Sequence, residues 1–159
     1  MRVPTYQDLA KYVSSPGAIR RIMNAWPPFV FSSIHIDHIS NDWRHVRTTL
    51  RKNPLTSNYL GTLYGGSLFS MTDPFWMLMV LHNLGDGWVV WDKAAEIEFV
   101  KPGRGRVTTS FTLTDEKLDE IRHQAETQGK ALVWFSNDIT AADGTVIARV
   151  RKQVYARRR

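Results

Sequence analysis

The 159 residues carry 21 Lys or Arg against 15 Asp or Glu, a formal surplus of six positive charges. Arg149, Arg151, Lys152, Arg157, Arg158 and Arg159 supply all six with no acid among them, so residues 1–148 are neutral overall. Confinement of the surplus to the C-terminal end excludes a chain built throughout for nucleic acid, whose footprint is a basic face or stripe. The composition, 43% hydrophobic and 23% charged, is that of a globular chain, not a disordered or fibrous one. The length suits a single domain, 1–159, able to bury roughly 70% of the surface of its unfolded chain. Without cysteine there is no disulfide framework, thiolate nucleophile or zinc–thiolate site. Met1 to Ala10 includes Asp8 and no apolar stretch, so no secretory signal and a cytoplasmic location are expected.

Residues 1–28 read as a helical lead-in and 29–159 as the core. Thr5 precedes a pattern in which Leu9, Tyr12 and Val13 share a helical face, and Ser15-Pro16 is the N-cap and first residue of a helix to about Ala25. Trp26-Pro27-Pro28 should stop it, since two prolines remove donors and the first pushes Trp26 out of the helical region. From Phe31 the period becomes two. Ile34, Ile36 and His38 point one way and His35, Asp37 and Ile39 the other; Ser40-Asn41-Asp42 turns the chain, and Val46, Thr48 and Leu50 alternate with His45, Arg47 and Thr49. This predicts a hairpin with one wet face.

Asn53-Pro54 to Gly61 is a loop, and Gly65-Gly66 opens Ser67–Leu84, an almost wholly apolar helix. Asp73 and Pro74 at its middle argue for a core helix and against a membrane span. Strands follow at 88–100, 105–114, 130–140 and 145–155, separated by Pro102-Gly103, by a charged helix from Asp115 to Gln128 closed by Gly129, and by the Asp143-Gly144 turn. Six strands and one apolar helix make an α+β pattern in which the helix is hidden only if the sheet curls around it.

Two runs carry a resemblance. Asn58-Tyr59-Leu60-Gly61-Thr62-Leu63-Tyr64-Gly65-Gly66, continuing to Asp73, resembles the Asn, His-Gly-Gly and Asp motif of the PaaI-like acyl-CoA thioesterases, with the same spacing. Glu98 to Gly103 looks like the strand end and turn that follow their central helix. The likeness extends to a poorly characterised branch of tetrameric thioesterases. It implies the hotdog fold: a curled antiparallel sheet of about six strands around a long central helix. It also implies a homodimer or dimer of dimers acting on acyl-CoA or a related thioester, with no cofactor.

Chemistry supports the motif residues separately. Glycines at a helix start allow close approach of another molecule, and the free N–H groups there favour developing negative charge, so Gly65 and Gly66 suit a thioester oxyanion. Alone, a Gly-Gly pair could equally serve loop packing. Asp73, a carboxylate within an apolar helix, needs hydrogen-bond partners, a neighbouring cation or a function. By resemblance it would cross a dimer interface to the partner's glycines, as general base or nucleophile; otherwise it caps a helix broken by Pro74. Asn58 matches the family residue that holds the water or the carbonyl. Tyr64 stands where the family has His, and a phenol titrating near 10 donates a hydrogen bond without shuttling protons at neutral pH. Ser67 belongs to the substrate side of the motif, and Phe75, Trp76 and Met77 are candidates for an acyl pocket or simply core. Asp92, Lys93 and Glu96 lie in the next strand, where family residues often assist, without an assigned role.

The remaining features read as structural. His35, Asp37 and His38 do not share one face, which leaves too few ligands for zinc. Most of the six tryptophans fall in predicted core elements. In the last strand Val146, Ala148, Val150 and Val154 form the core face, opposite Arg149, Arg151 and Ile147, and Arg157–Arg159 form a frayed tail. Non-catalytic acyl-ligand binding is the competing function, favoured by Tyr64. A hotdog dehydratase ranks behind both because it requires an active-site His.

Overall fold

The structure, a computed structural model, describes residues 15–159; the helix expected around Thr5–Val13 lies outside them. Helix α1 (Pro16–Asn24) starts as expected, with the Ser15 hydroxyl accepting from the Ala18 amide and Pro16 in the first turn. It buries Ile19 and Met23. Asn24 ends it by pairing with the backbone of Ile36, accepting from its N–H at 2.7 Å and donating to its carbonyl at 3.1 Å. The first helix stops before Trp26-Pro27-Pro28 as expected, at C-cap Ala25, but the helical lead-in runs on beyond residue 28 to Phe31. Trp26 is extended, as a residue before proline must be, but it is the N-cap of a second short helix, α2 (Pro27–Phe31). Prolines in a first turn forfeit donors that no helix uses, so they open this turn where interior prolines would break it.

Strands β1 (Ile34–Ile39) and β2 (His45–Leu50) form the expected hairpin, with one correction. The register skips between Ile36 and His38, leaving Asp37 as an extra residue. A bulge inverts the alternation beyond it, so His38 faces out and Ile39 joins Ile34 and Ile36 in the core.

The predicted central helix is present but interrupted. α3 (Gly65–Ser70) and α4 (Phe75–Leu84) are separated by Met71–Pro74. Pro74 has no N–H for the Ser70 carbonyl, which instead accepts from the Asp73 amide at 3.1 Å, a tighter i→i+3 turn. α4 is enclosed as its sequence requires: Phe75, Met79 and Val80 are fully buried, and Phe75 packs against Phe29 and Phe111.

β3 (Trp88–Phe99), β4 (Val107–Thr112), β5 (Ala131–Ala141) and β6 (Val146–Arg158) complete one antiparallel sheet in the order β1-β2-β4-β5-β6-β3. Helix α5 (Asp115–Gln128), capped by Thr114 and closed by left-handed Gly129, lays Leu118 and Ile121 on the sheet. Gly144 turns the β5–β6 hairpin at φ 83°. This is the expected hotdog arrangement, a curled sheet around a central helical segment. Two expectations for β6 change. A register shift opposite Ile139 and Thr140 makes Ile147 an extra residue, buried alongside Ala148. The C-terminal arginines are not frayed: Arg157 and Arg158 pair with Val89 and Trp88 of β3, and Arg158 reaches Glu126.

Candidate active site

The central segment and β3 run side by side in opposite directions, so each end of the segment meets a different part of the strand. At one end, Tyr64 is the extended N-cap of α3 and no side chain caps the helix. The Tyr64 and Leu63 amides are tied to Thr56 and Gly103 carbonyls at 2.8 Å, which fixes the entry to the helix. The Tyr64 ring lies over Gly66, where a Cβ would come within 2.3 Å of it, and the Phe99 ring lies over Gly65, where a Cβ would come within 2.9 Å. The two rings lie directly on the glycines, but both are more than half exposed and free to move aside. Asn58 organises the loop before them. Its side-chain oxygen accepts from the Leu60 and Thr62 amides, and its amide donates to Thr62 Oγ1. Asn58, Gly65 and Phe99 line one cleft of about 320 Å³, and Lys101 and Pro102 also line a neighbouring, larger cleft with Arg104, Arg106 and Asp143.

At the break between α3 and α4 sits Asp73, released from the helix by Pro74 and half exposed. It borders a smaller cleft lined by Trp26, Pro28, Phe29, Phe69 and Ser70. The Lys152 ammonium from β6, 3% exposed, bonds to Asp73 and also to Asp92 Oδ2 of β3 at 3.1 Å. It lies 5.7 Å from the centre of the Phe69 ring. Asp92 Oδ1 is buried without a hydrogen-bond partner, the one such side-chain atom among the described residues. Burial pushes the Asp92 carboxyl above its ordinary range; Lys152 opposes this, and Asp73 adds to it by charge and by hydrogen bonding.

The sequence places Lys152 only among the C-terminal cations, with no functional role, yet it faces the same way as Val150 and Val154, two residues to either side. Its place among core positions was the available signal. Of the acyl-pocket candidates, Phe75 and Trp76 are in the interior. The Trp76 ring stacks on Phe135 and donates to Asn137 Oδ1 at 3.0 Å, while Met77 is half buried. Ser67 is buried, with its amide on the Tyr64 carbonyl. The C-terminal cations of the outer sheet face are paired: Arg149 with Glu98, Arg151 with Glu96 and the Trp134 ring. No described helix is long and apolar enough to cross a membrane.

The fold is that of the PaaI-like hotdog proteins. Over its full length the chain superposes on a probable thioesterase of unknown function from Pseudomonas aeruginosa, with a TM-score of 0.75 at 18% identity and the whole of both chains covered. A Haemophilus influenzae thioesterase matches at 0.66 and 14% identity over 91% of each chain. The Escherichia coli PaaI protein of the phenylacetic acid degradation operon matches at 0.58 and 14%, over 89% of this chain and 90% of that one. By sequence, residues 17–156 match a family model, and the chain belongs to that family, DUF4442, a domain of unknown function. No curated protein matches it.

Proposed function

We propose that this protein hydrolyses an acyl thioester, such as an acyl-CoA, at composite sites formed between two copies of the chain. One observation carries the reading. Gly66 and Asp73 stand seven residues apart on one helical segment, about 10 Å at 1.5 Å per residue; the glycine start lies against Phe99, and Asp73 is linked through Lys152 to Asp92, near the opposite end of β3. Each end of the segment faces its own stretch of β3, which favours a site that takes its glycines from one chain and its carboxylate from another. β3 is a twelve-residue edge strand with only β6 beside it, and such an edge is a template for another strand. Antiparallel pairing of two β3 edges about a two-fold axis near Ala95 and Glu96 brings Asp73 of one protomer toward the glycines of the other.

In that site the Asp73 carboxylate takes a proton from water as its oxygen bonds to the thioester carbon, and the carbonyl oxygen becomes an anion facing the Gly65 and Gly66 amides. Collapse breaks the C–S bond, and the thiolate leaves with the proton returned by Asp73. Direct attack by Asp73, with an anhydride then hydrolysed by water, gives the same products. The Tyr64 hydroxyl serves as a hydrogen-bond donor, Asn58 holds the glycine loop, and the Lys101, Arg104 and Arg106 cleft suits the phosphates of a CoA carrier.

Asp73→Asn and wild type are compared on a panel of acyl-CoAs by thiol release. Equal rates, or none from either, overturn the assignment. Mixing Asp73→Asn with Gly66→Val tests the shared site: random reassortment should restore about a quarter of wild-type activity from two inactive parents. The Tyr64 ring over Gly66 favours a second reading, an acyl-ligand binding protein without turnover. Calorimetric binding of acyl-CoA with no thiol release identifies it.

A further inference from the structure

We propose that Lys152, anchored by Asp92, is the positioning residue that holds the Asp73 carboxylate in its working orientation. This rests on the reading of Asp73 as the reacting carboxylate.

A lysine this deeply buried is costly, since the desolvation of its ammonium must be offset by close partners. Its neighbours on the same face of β6, Val150, Val154 and Ala156, are fully buried and apolar. An apolar side chain at 152, with a neutral one at 92, would satisfy the fold at less cost. What Lys152 supplies beyond packing is a fixed point for a mobile group. Asp73 lies outside both helices, is half exposed and borders a cleft. Free of restraint, such a side chain populates several rotamers. The ammonium tethers it from inside the sheet, and the second bond, to Asp92, prevents the lysine from swinging with it. Asp92 itself sits at a register shift of β3, where the strand departs from regular pairing with β6 between Asp92 and Ala94. The bulge aims its carboxylate at the lysine and leaves Oδ1 without a partner. The charged groups acting on Asp92 are Lys152 from β6 and Asp73 from the helix break. Three charges drawn from three elements thus meet where one carboxylate reaches the surface.

The test uses the double variant Lys152→Met/Asp92→Asn, because Lys152→Met alone strands Asp92 without its counter-ion. The proposal expects kcat to fall about 100-fold, as displacement of a reacting group by an ångström produces, with KM within threefold. The melting temperature should equal or exceed that of wild type. A variant that keeps kcat within threefold of wild type, while Asp73→Asn is inactive, overturns the positioning role and leaves the thioesterase reading standing. A second readout does not depend on turnover. Three-bond couplings of Asp73 should report one χ1 rotamer in wild type and averaging in the double variant. One unchanged rotamer in both overturns the proposal, whether or not the protein hydrolyses any thioester; thiol release by wild type and its loss in Asp73→Asn separately decide that reading.

Discussion

Two polar clusters cross the interior of this protein, and they are built on opposite principles. Trp76, Asn137 and Thr109 form a neutral chain: the indole donates to Asn137 Oδ1, Asn137 Nδ2 donates to Thr109 Oγ1 at 2.7 Å, and Thr109 donates to the Asp138 carbonyl at 2.8 Å. Every polar group is satisfied, and all three residues are buried. Lys152, Asp73 and Asp92 form a charged cluster with an unsatisfied oxygen at one end and a half-exposed carboxylate at the other. The first arrangement stabilises a unique core packing, as a fully paired network does. The second is what a fold retains when a charge must be delivered to a surface at a set place. Buried polarity alone does not mark a site; incompleteness and access to a cleft do.

The largest effect that could break this contrast is on turnover. Asp73→Asn should lower thioester hydrolysis by about 10²–10⁴-fold, the range of a general base, with little change in melting temperature. If stability collapses instead, the charged cluster is structural and the contrast fails. The converse variant, Asn137→Ala, strands the buried Trp76 N–H, while Thr109 keeps its bond to the Asp138 carbonyl, and should cost about 1–3 kcal/mol in denaturant unfolding. Its kcat should stay near wild type at a temperature where it is folded. At the other end of the segment, Gly66→Ala must displace the Tyr64 ring. Because that ring is exposed, unfolding free energy should change by less than about 1 kcal/mol while hydrolysis falls about tenfold, separating a recognition role for the glycine from a packing one.

The smallest expected effect sharpens the contrast through pH. His82, stacked on Trp43 with ring centres 3.8 Å apart, is held by burial below the ordinary imidazole value of 6.5. The folded state then binds fewer protons than the unfolded one, so this stabilising contribution is present above pH 6.5 and is lost as pH falls toward the lowered folded value. Asp92 has the opposite sign: its raised value means stability is lost as pH rises from 3.8 through the folded value. Thermal melts should show His82→Gln flattening the loss of stability just below pH 6.5, and Asp92→Asn flattening the loss of stability as pH rises from 3.8.

Much of the fold was legible in the chain because the signals are local. Ser15-Pro16 starts α1, Thr114 and Gly129 bound α5, and Asp143-Gly144 turns the last hairpin, each through chemistry within a few residues. The motif from Asn58 to Asp73 was legible as spacing. The failures were of two kinds. Bulges at Asp37 and Ile147 shift a strict alternation by one residue, and their positions depend on the partner strand. Lys152 was read as one more cation in a basic end, because its partners lie 79 and 60 residues away along the chain.

The sequence by itself determined an α+β pattern in which an apolar helix without a polar face is hidden by a sheet that wraps it, and the motif from Asn58 to Asp73, by its resemblance to the PaaI-like thioesterases, implied the hotdog fold. It also determined that two glycines and one carboxylate stand at fixed spacing on that segment. Only the tertiary structure decided what those residues face. It separated the glycines from Asp73 along β3, left β3 as an edge, and placed the ammonium of β6 beneath the carboxylate. Those relations depend on how distant strands come into register, and register is a property of pairs of strands that no single stretch of chain encodes.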